Sequence, residues 1–201
     1  MAMTLGEAKI KARKLMDEYS LNGQFVPETS KSVADYMLKM NDLFDVAQKE
    51  AAQVKPIVRA MSISKEPGAA AVYELPEDYY KLRAVFILDS KGRRQPTARF
   101  ELAWPSGLDG RAGITLPQGG GAYIVEYCAY PEGIGPETGD GHLFEVAPDA
   151  QEALPYFVAA SCIQHENQAL FATLYGMYQT KLINLAPVSP PAGGIRQTFF
   201  G

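Results

Sequence analysis

Few side chains in this sequence have the type and spacing that chemistry needs. Cys162 and His165 stand three residues apart, so a helix holding them puts both on one face. A thiol beside an imidazole can act as nucleophile and base, or form half of a metal site. No third orienting group and no second Cys/His pair follows. Cys162 therefore reads as a core thiol and His165 as a helix-end residue. Asp140, His142 and Glu145 bring three potential ligands close together. Their spacing matches neither an EF-hand nor a zinc pattern, and they read as a polar loop ahead of a helix. Gly119-Gly120-Gly121 lacks the following Lys-Ser or Lys-Thr of a phosphate loop and reads as a hairpin turn. Nucleophile-elbow and zincin motifs are absent. The expectation is a protein that is not an enzyme and needs neither cofactor nor metal.

Two other groups of residues point to binding. Lys9, Lys11, Arg13 and Lys14 form the densest basic run, and on one helix they could face DNA phosphates. Glu7, Asp17 and Glu18 lie near enough to pair with them instead. The last residues, Pro187 to Gly201, hold three prolines and three glycines and end in Ile195, Arg196, Phe199 and Phe200. Proline and glycine keep such a segment extended. Fully burying each large apolar side chain is worth about 1.5–3 kcal/mol. The four named residues are the candidate partner-binding set.

Composition narrows the classes. The 201 residues fit one domain, and 47% hydrophobic with 21% charged residues excludes wholesale disorder. A net charge of −4 excludes a globally basic nucleic-acid footprint. Two cysteines and two histidines exclude a disulfide scaffold, and the thiols are expected reduced. Met1 to Glu7 does not read as a signal peptide, and no apolar run nears the ~20 residues of a membrane span.

The elements that must position these residues fall into regions of different period. Thr4 and Glu7 form a capping-box pattern, followed by Leu5, Ala8, Ala12, Leu15, Met16 and Tyr19 on one helical face. Asn22-Gly23 stops that helix, and Ser30 or Ser32 opens the next. There Val33, Met37, Met40, Phe44, Ala47, Ala51 and Val54 keep 4-3 spacing up to Pro56. From Ile57 to Ala147 short β-favouring runs alternate with turn signals: Ile57–Ile63, Ala71–Leu75, Lys81–Leu88, Gln95–Leu102, Gly113–Leu116 and Ala122–Tyr130. This middle region holds most of the glycines and most of the acidic excess. Helical spacing then returns through Leu154, Phe157, Val158 and Cys162, and through Leu170, Leu174, Met177, Tyr178, Leu182 and Leu185. Pro155 requires either a late helix start or a kink. The expected fold is α+β. Residues 1–56 and 148–186 supply the helices of one bundle, 57–147 an inserted small antiparallel β-sandwich or barrel, and 187–201 an extended arm. Tandem α and β domains are the alternative.

Phe144 to Ala160 and Leu170 to Leu182, with Lys9 to Tyr19 and Asp35 to Lys55, resemble the tailed-bacteriophage head–tail connectors, the portal adaptors of the neck. Leu75 to Leu82 and Tyr123 to Glu132 resemble the β-insertion of some members. The resemblance implies a structural virion protein assembled as a ring, a dodecamer, beneath the portal protein. It implies a C-terminal arm reaching the portal, a next neck or tail protein below, and DNA passing through without sequence-specific contact. It places the protein in the virion neck, and in the host cytoplasm during assembly. The alternative is a tail accessory whose β-insertion binds carbohydrate or a host surface through Trp104, Tyr79 or Tyr130.

Overall fold

The structure is a computed structural model and describes residues 2–16, 31–68, 72–97, 99–103, 111–117 and 119–185, with 31–33 described by backbone alone. It is α+β. The described chain divides into two compact units, one from Met1–Ile57 and Pro131–Val188, the other from Val58–Tyr130. Tyr19, the Asn22-Gly23 stop, Trp104 and the arm 187–201 lie outside the described residues.

The helical unit opens with α1 (Leu5–Leu15). The expected capping box is present: Thr4 Oγ1 accepts from Glu7 N–H and the Glu7 carboxylate accepts from Thr4 N–H. The first two helical N–H groups donate to loop carbonyls instead, Leu5 to His142 at 2.8 Å and Gly6 to Asp140 at 2.9 Å. The orphan donors of this helix end are thus satisfied partly from far along the chain. α2 (Lys31–Val54) buries Met40, Phe44, Ala47 and Ala51 along the expected seam, whereas Val54 at its end is exposed. After the short α3 (Pro148–Gln151) comes α4 (Leu154–Ile163), with Pro155 in its first turn. Proline is tolerated there because that N–H has no helical acceptor. The late start is therefore the outcome, not a kink. Asn167 caps α5 (Gln168–Ile183) by accepting from Leu170 N–H. Residues from all four longer helices and from Phe144 and Val146 form one apolar core.

The β unit contains β1 (Ile57–Lys65), β2 (Val72–Glu74), β3 (Tyr79–Leu88), β4 (Arg94–Pro96), β5 (Glu101–Ala103), β6 (Gly113–Thr115) and β7 (Gly121–Ala129). They form a four-stranded sheet in the order β1-β7-β3-β4 and a three-stranded sheet in the order β2-β6-β5. β3 pairs antiparallel with β7 and with β4, and β6 pairs antiparallel with β2 and β5. Among the described strands no barrel closes. Ile63, Val85, Tyr123 and Val125 of one sheet share an apolar cluster with Ile114 of the other.

Three details differ from the sequence reading. The run Gln95–Leu102 splits into β4 and β5, which belong to different sheets. Pro96 lacks a donor for continued pairing and sits on an edge strand, where that lack is harmless. The Gly119-Gly120-Gly121 stretch is no hairpin turn, because β6 and β7 lie in different sheets. It carries the chain between them, and Gly120 passes so close to Pro67 that a Cβ would sit 2.8 Å from its ring. Lastly, the segment from Pro131 to Ala147 belongs to the helical unit. The true hairpin turn joins β3 to β4: Asp89 Oδ1 accepts from Lys91 and Arg93 N–H, and Gly92 takes φ +73°.

Candidate partner interface

The segment Pro131–Ala147 is irregular, so its backbone polar groups need partners from elsewhere. α2 supplies them through Asn41, Asp45 and Gln48, which share the 4-3 spacing of the apolar seam displaced by one residue. Gln48 Nε2 donates to Glu132 O at 2.7 Å, and Asp45 Oδ1 accepts from Ile134 N–H at 2.9 Å. Asn41 Nδ2 donates to the carbonyls of Gly135 (2.8 Å), Thr138 (3.2 Å) and Pro136 (3.3 Å). Burial pushes the Asp45 carboxyl up, but Lys49, Ile134 N–H and Gln48 outweigh it and hold it below its usual range. Further on, Gln151 is buried and closes the N-terminus onto the same segment. It accepts from Met3 N–H at 2.6 Å and donates to Phe144 O and Val146 O.

This arrangement leaves a surface groove of about 450 Å³ lined by Lys9, Ala34, Met37, Leu38, Asn41, Pro136 and Thr138. Ala34, Met37, Leu38 and Asn41 occupy one face of α2 at i, i+3, i+4 and i+7. Leu38 is 78% exposed, an unusual position for a leucine on a helix whose opposite face is fully buried.

The basic run of α1 does not present four cations to one surface. Lys9 is buried and its Nζ donates to Asp140 Oδ1 at 2.7 Å. Arg13 is buried as well. Lys11 is exposed and pairs with Glu152 at 3.0 Å, and Lys14 is exposed. Of the four, only Lys11 and Lys14 present their side chains to solvent. The other four candidates, Ile195, Arg196, Phe199 and Phe200, lie outside the described residues.

The residues that suggested chemistry are accounted for by structure. Cys162 is buried, and burial pushes its thiol up to about 12, so at neutral pH it is protonated and a poor nucleophile. His165, three residues on, is exposed. Asp140 is held by Lys9, and the Glu145 carboxylate accepts from Glu132 N–H at 2.8 Å. The His142 ring packs edge-on to Phe144. Among the described residues no group of three His, Cys, Asp or Glu could hold a metal ion, and no helix is long and apolar enough to cross a membrane. The two described aromatic cues for carbohydrate are half-buried: Tyr79 packs on Tyr127 at 6.1 Å and Tyr130 on Tyr80 at 4.7 Å.

Sequence reasoning missed the polar stripe Asn41-Asp45-Gln48 and the groove beside it. The signal was present, since the stripe repeats the seam's spacing, but an apolar search passes over it.

No family model matches the chain, and no curated protein matches it. Among solved structures it is similar to a chain in the virion of a native gene transfer agent (GTA) particle, with 15% identity and a TM-score of 0.30, covering 87% of this chain and 92% of that one. A chain in the neck of a native GTA particle computed with C12 symmetry gives 19% identity and a TM-score of 0.28, covering 74% and 90%. One in the neck of an empty GTA particle computed with C6 symmetry gives 16% and 0.31, covering 87% and 92%.

Proposed function

We propose that this chain is a structural, non-enzymatic virion protein, a ring adaptor between the portal and the tail of a tailed bacteriophage. The observation that carries the reading is the discontinuous helical unit. The chain leaves it after α2, builds a β unit, and returns at Pro131 to complete one helical core. The segments on both sides of that excursion resemble the head–tail connectors, and two segments within it resemble the β-insertion of some members. In this reading copies of the helical unit assemble around a bore, forming a dodecamer by heterologous contacts that close on themselves. DNA passes through without sequence-specific contact, and an acidic or neutral bore would let it slide, because it is fixed cations that hold phosphate. The arm 187–201 docks on the portal through Ile195, Arg196, Phe199 and Phe200, and the opposite end of the ring receives the next neck or tail protein.

Removing 187–201 tests the arm. The truncated protein should keep its far-ultraviolet circular dichroism and its melting temperature, yet fail to sediment with purified portal. Normal co-sedimentation of the truncated protein would contradict the assignment.

A further inference from the structure

The α2 groove has two properties that ring formation alone does not use. Its floor is apolar, from Ala34, Met37, Leu38 and Pro136. The surroundings are acidic. Asp35, Asp42 and Glu137 are exposed beside lining residues, and the Asp140 side chain stays 64% exposed although it binds Lys9. Lys39 is the exposed cation on the same stretch of α2.

An occupant must therefore offer large apolar side chains and positive charge. The C-terminal segment of this chain offers both. Ile195, Phe199 and Phe200 are apolar, and Arg196 is the one charged residue after Lys181. After Leu185 sixteen residues follow, enough to span up to about 55 Å when extended.

We propose that residues 194–200 of one copy dock in the α2 groove of a second copy. The apolar side chains lie on Met37 and Leu38, and Arg196 faces the acidic margin. This rests on the ring reading for the presence of neighbouring copies, and it gives the arm a seat in rings that have not met the portal. Groove and arm are different patches, so each copy both gives and receives, which is the contact type that closes a ring.

Full-length protein with Phe199 replaced by p-benzoylphenylalanine tests this without portal. Unlabelled copies carrying the photoreactive residue are mixed with ¹⁵N-labelled wild-type copies, illuminated and digested with trypsin. Cross-links should join position 199 to the labelled peptide Ser32–Lys39, which holds Met37 and Leu38. Leu38→Asp in the labelled copy should lower that yield at least fivefold, with circular dichroism unchanged because the side chain is already exposed. Arg196→Glu in the photoreactive copy should lower it about threefold. Cross-links confined to unlabelled chains, cross-links elsewhere, none at all, or indifference to Leu38→Asp would each overturn the proposal. Portal co-sedimentation of the wild-type protein is read separately, so failure of the groove contact and failure of the adaptor reading stay distinct.

Discussion

The two units solve the same problem with different materials. The β unit satisfies its backbone mainly through strand ladders, and its side-chain ion pairs are partly exposed, as with Arg94 and Glu126 at 2.7 Å or Arg59 and Asp78 at 2.5 Å. Such pairs contribute little each. The helical unit must hold a long irregular segment, and it does so with side chains reaching far along the sequence: the buried Gln151, Asn41 and Gln48 and the half-buried Asp45. Tyr178 adds another, donating to Glu50 at 2.7 Å, its phenol proton held far above the usual range by burial and that carboxylate. The difference teaches where the chain is brittle. A single polar substitution in the helical unit strands several backbone groups at once, whereas one in the β unit loses a screened contact.

Each unit also holds one buried free cysteine, Cys128 in the β unit and Cys162 in the helical unit. Pulsed thiol labelling therefore reads the opening of the two separately. The largest expected effect comes from Phe44→Ala. Phe44 is fully buried and packs on Phe144 at 5.7 Å, and its loss should cost about 3–5 kcal/mol. Labelling of Cys162 should accelerate far more than labelling of Cys128. Equal acceleration at both would show that the two units open together.

Gln151→Leu comes next. It leaves Met3 N–H, Phe144 O and Val146 O without their partner and should cost about 2–3 kcal/mol in urea unfolding. A cost below half a kcal/mol would mean that the buried amide does not secure the irregular segment.

The smallest effect is pH-dependent. The Asp45 carboxyl lies below its ordinary value in the folded state. Its contribution is therefore complete above the unfolded value, near pH 4, and is lost as pH falls through the lower folded one. The wild-type melting temperature should drop between pH 5 and 3 more steeply than that of Asp45→Asn. Parallel curves would assign the acid sensitivity to other carboxylates.

Much of this fold was legible in the sequence because its signals were local. The Thr4–Glu7 box, the α2 seam and five of the six β-favouring runs rest on neighbours within a few residues. What was not legible depended on distant partners. Nothing near Gly119-Gly120-Gly121 announces that β6 and β7 pair with different sheets. Pro131–Ala147 has the composition of the β unit and joins the helices through partners far along the chain: side chains on α2, the first turn of α1 and Gln151. The basic run of α1 is a stripe on paper, yet Lys9 turns inward to Asp140, a carboxylate that no local pattern connects to it.

The central claim is that copies of this chain form a ring that seats on the portal. Electron microscopy of the purified protein mixed with purified portal tests it most directly. The account predicts closed rings of twelve copies capping one end of the portal. A strict monomer that leaves the portal bare and is missing from assembled particles would contradict it.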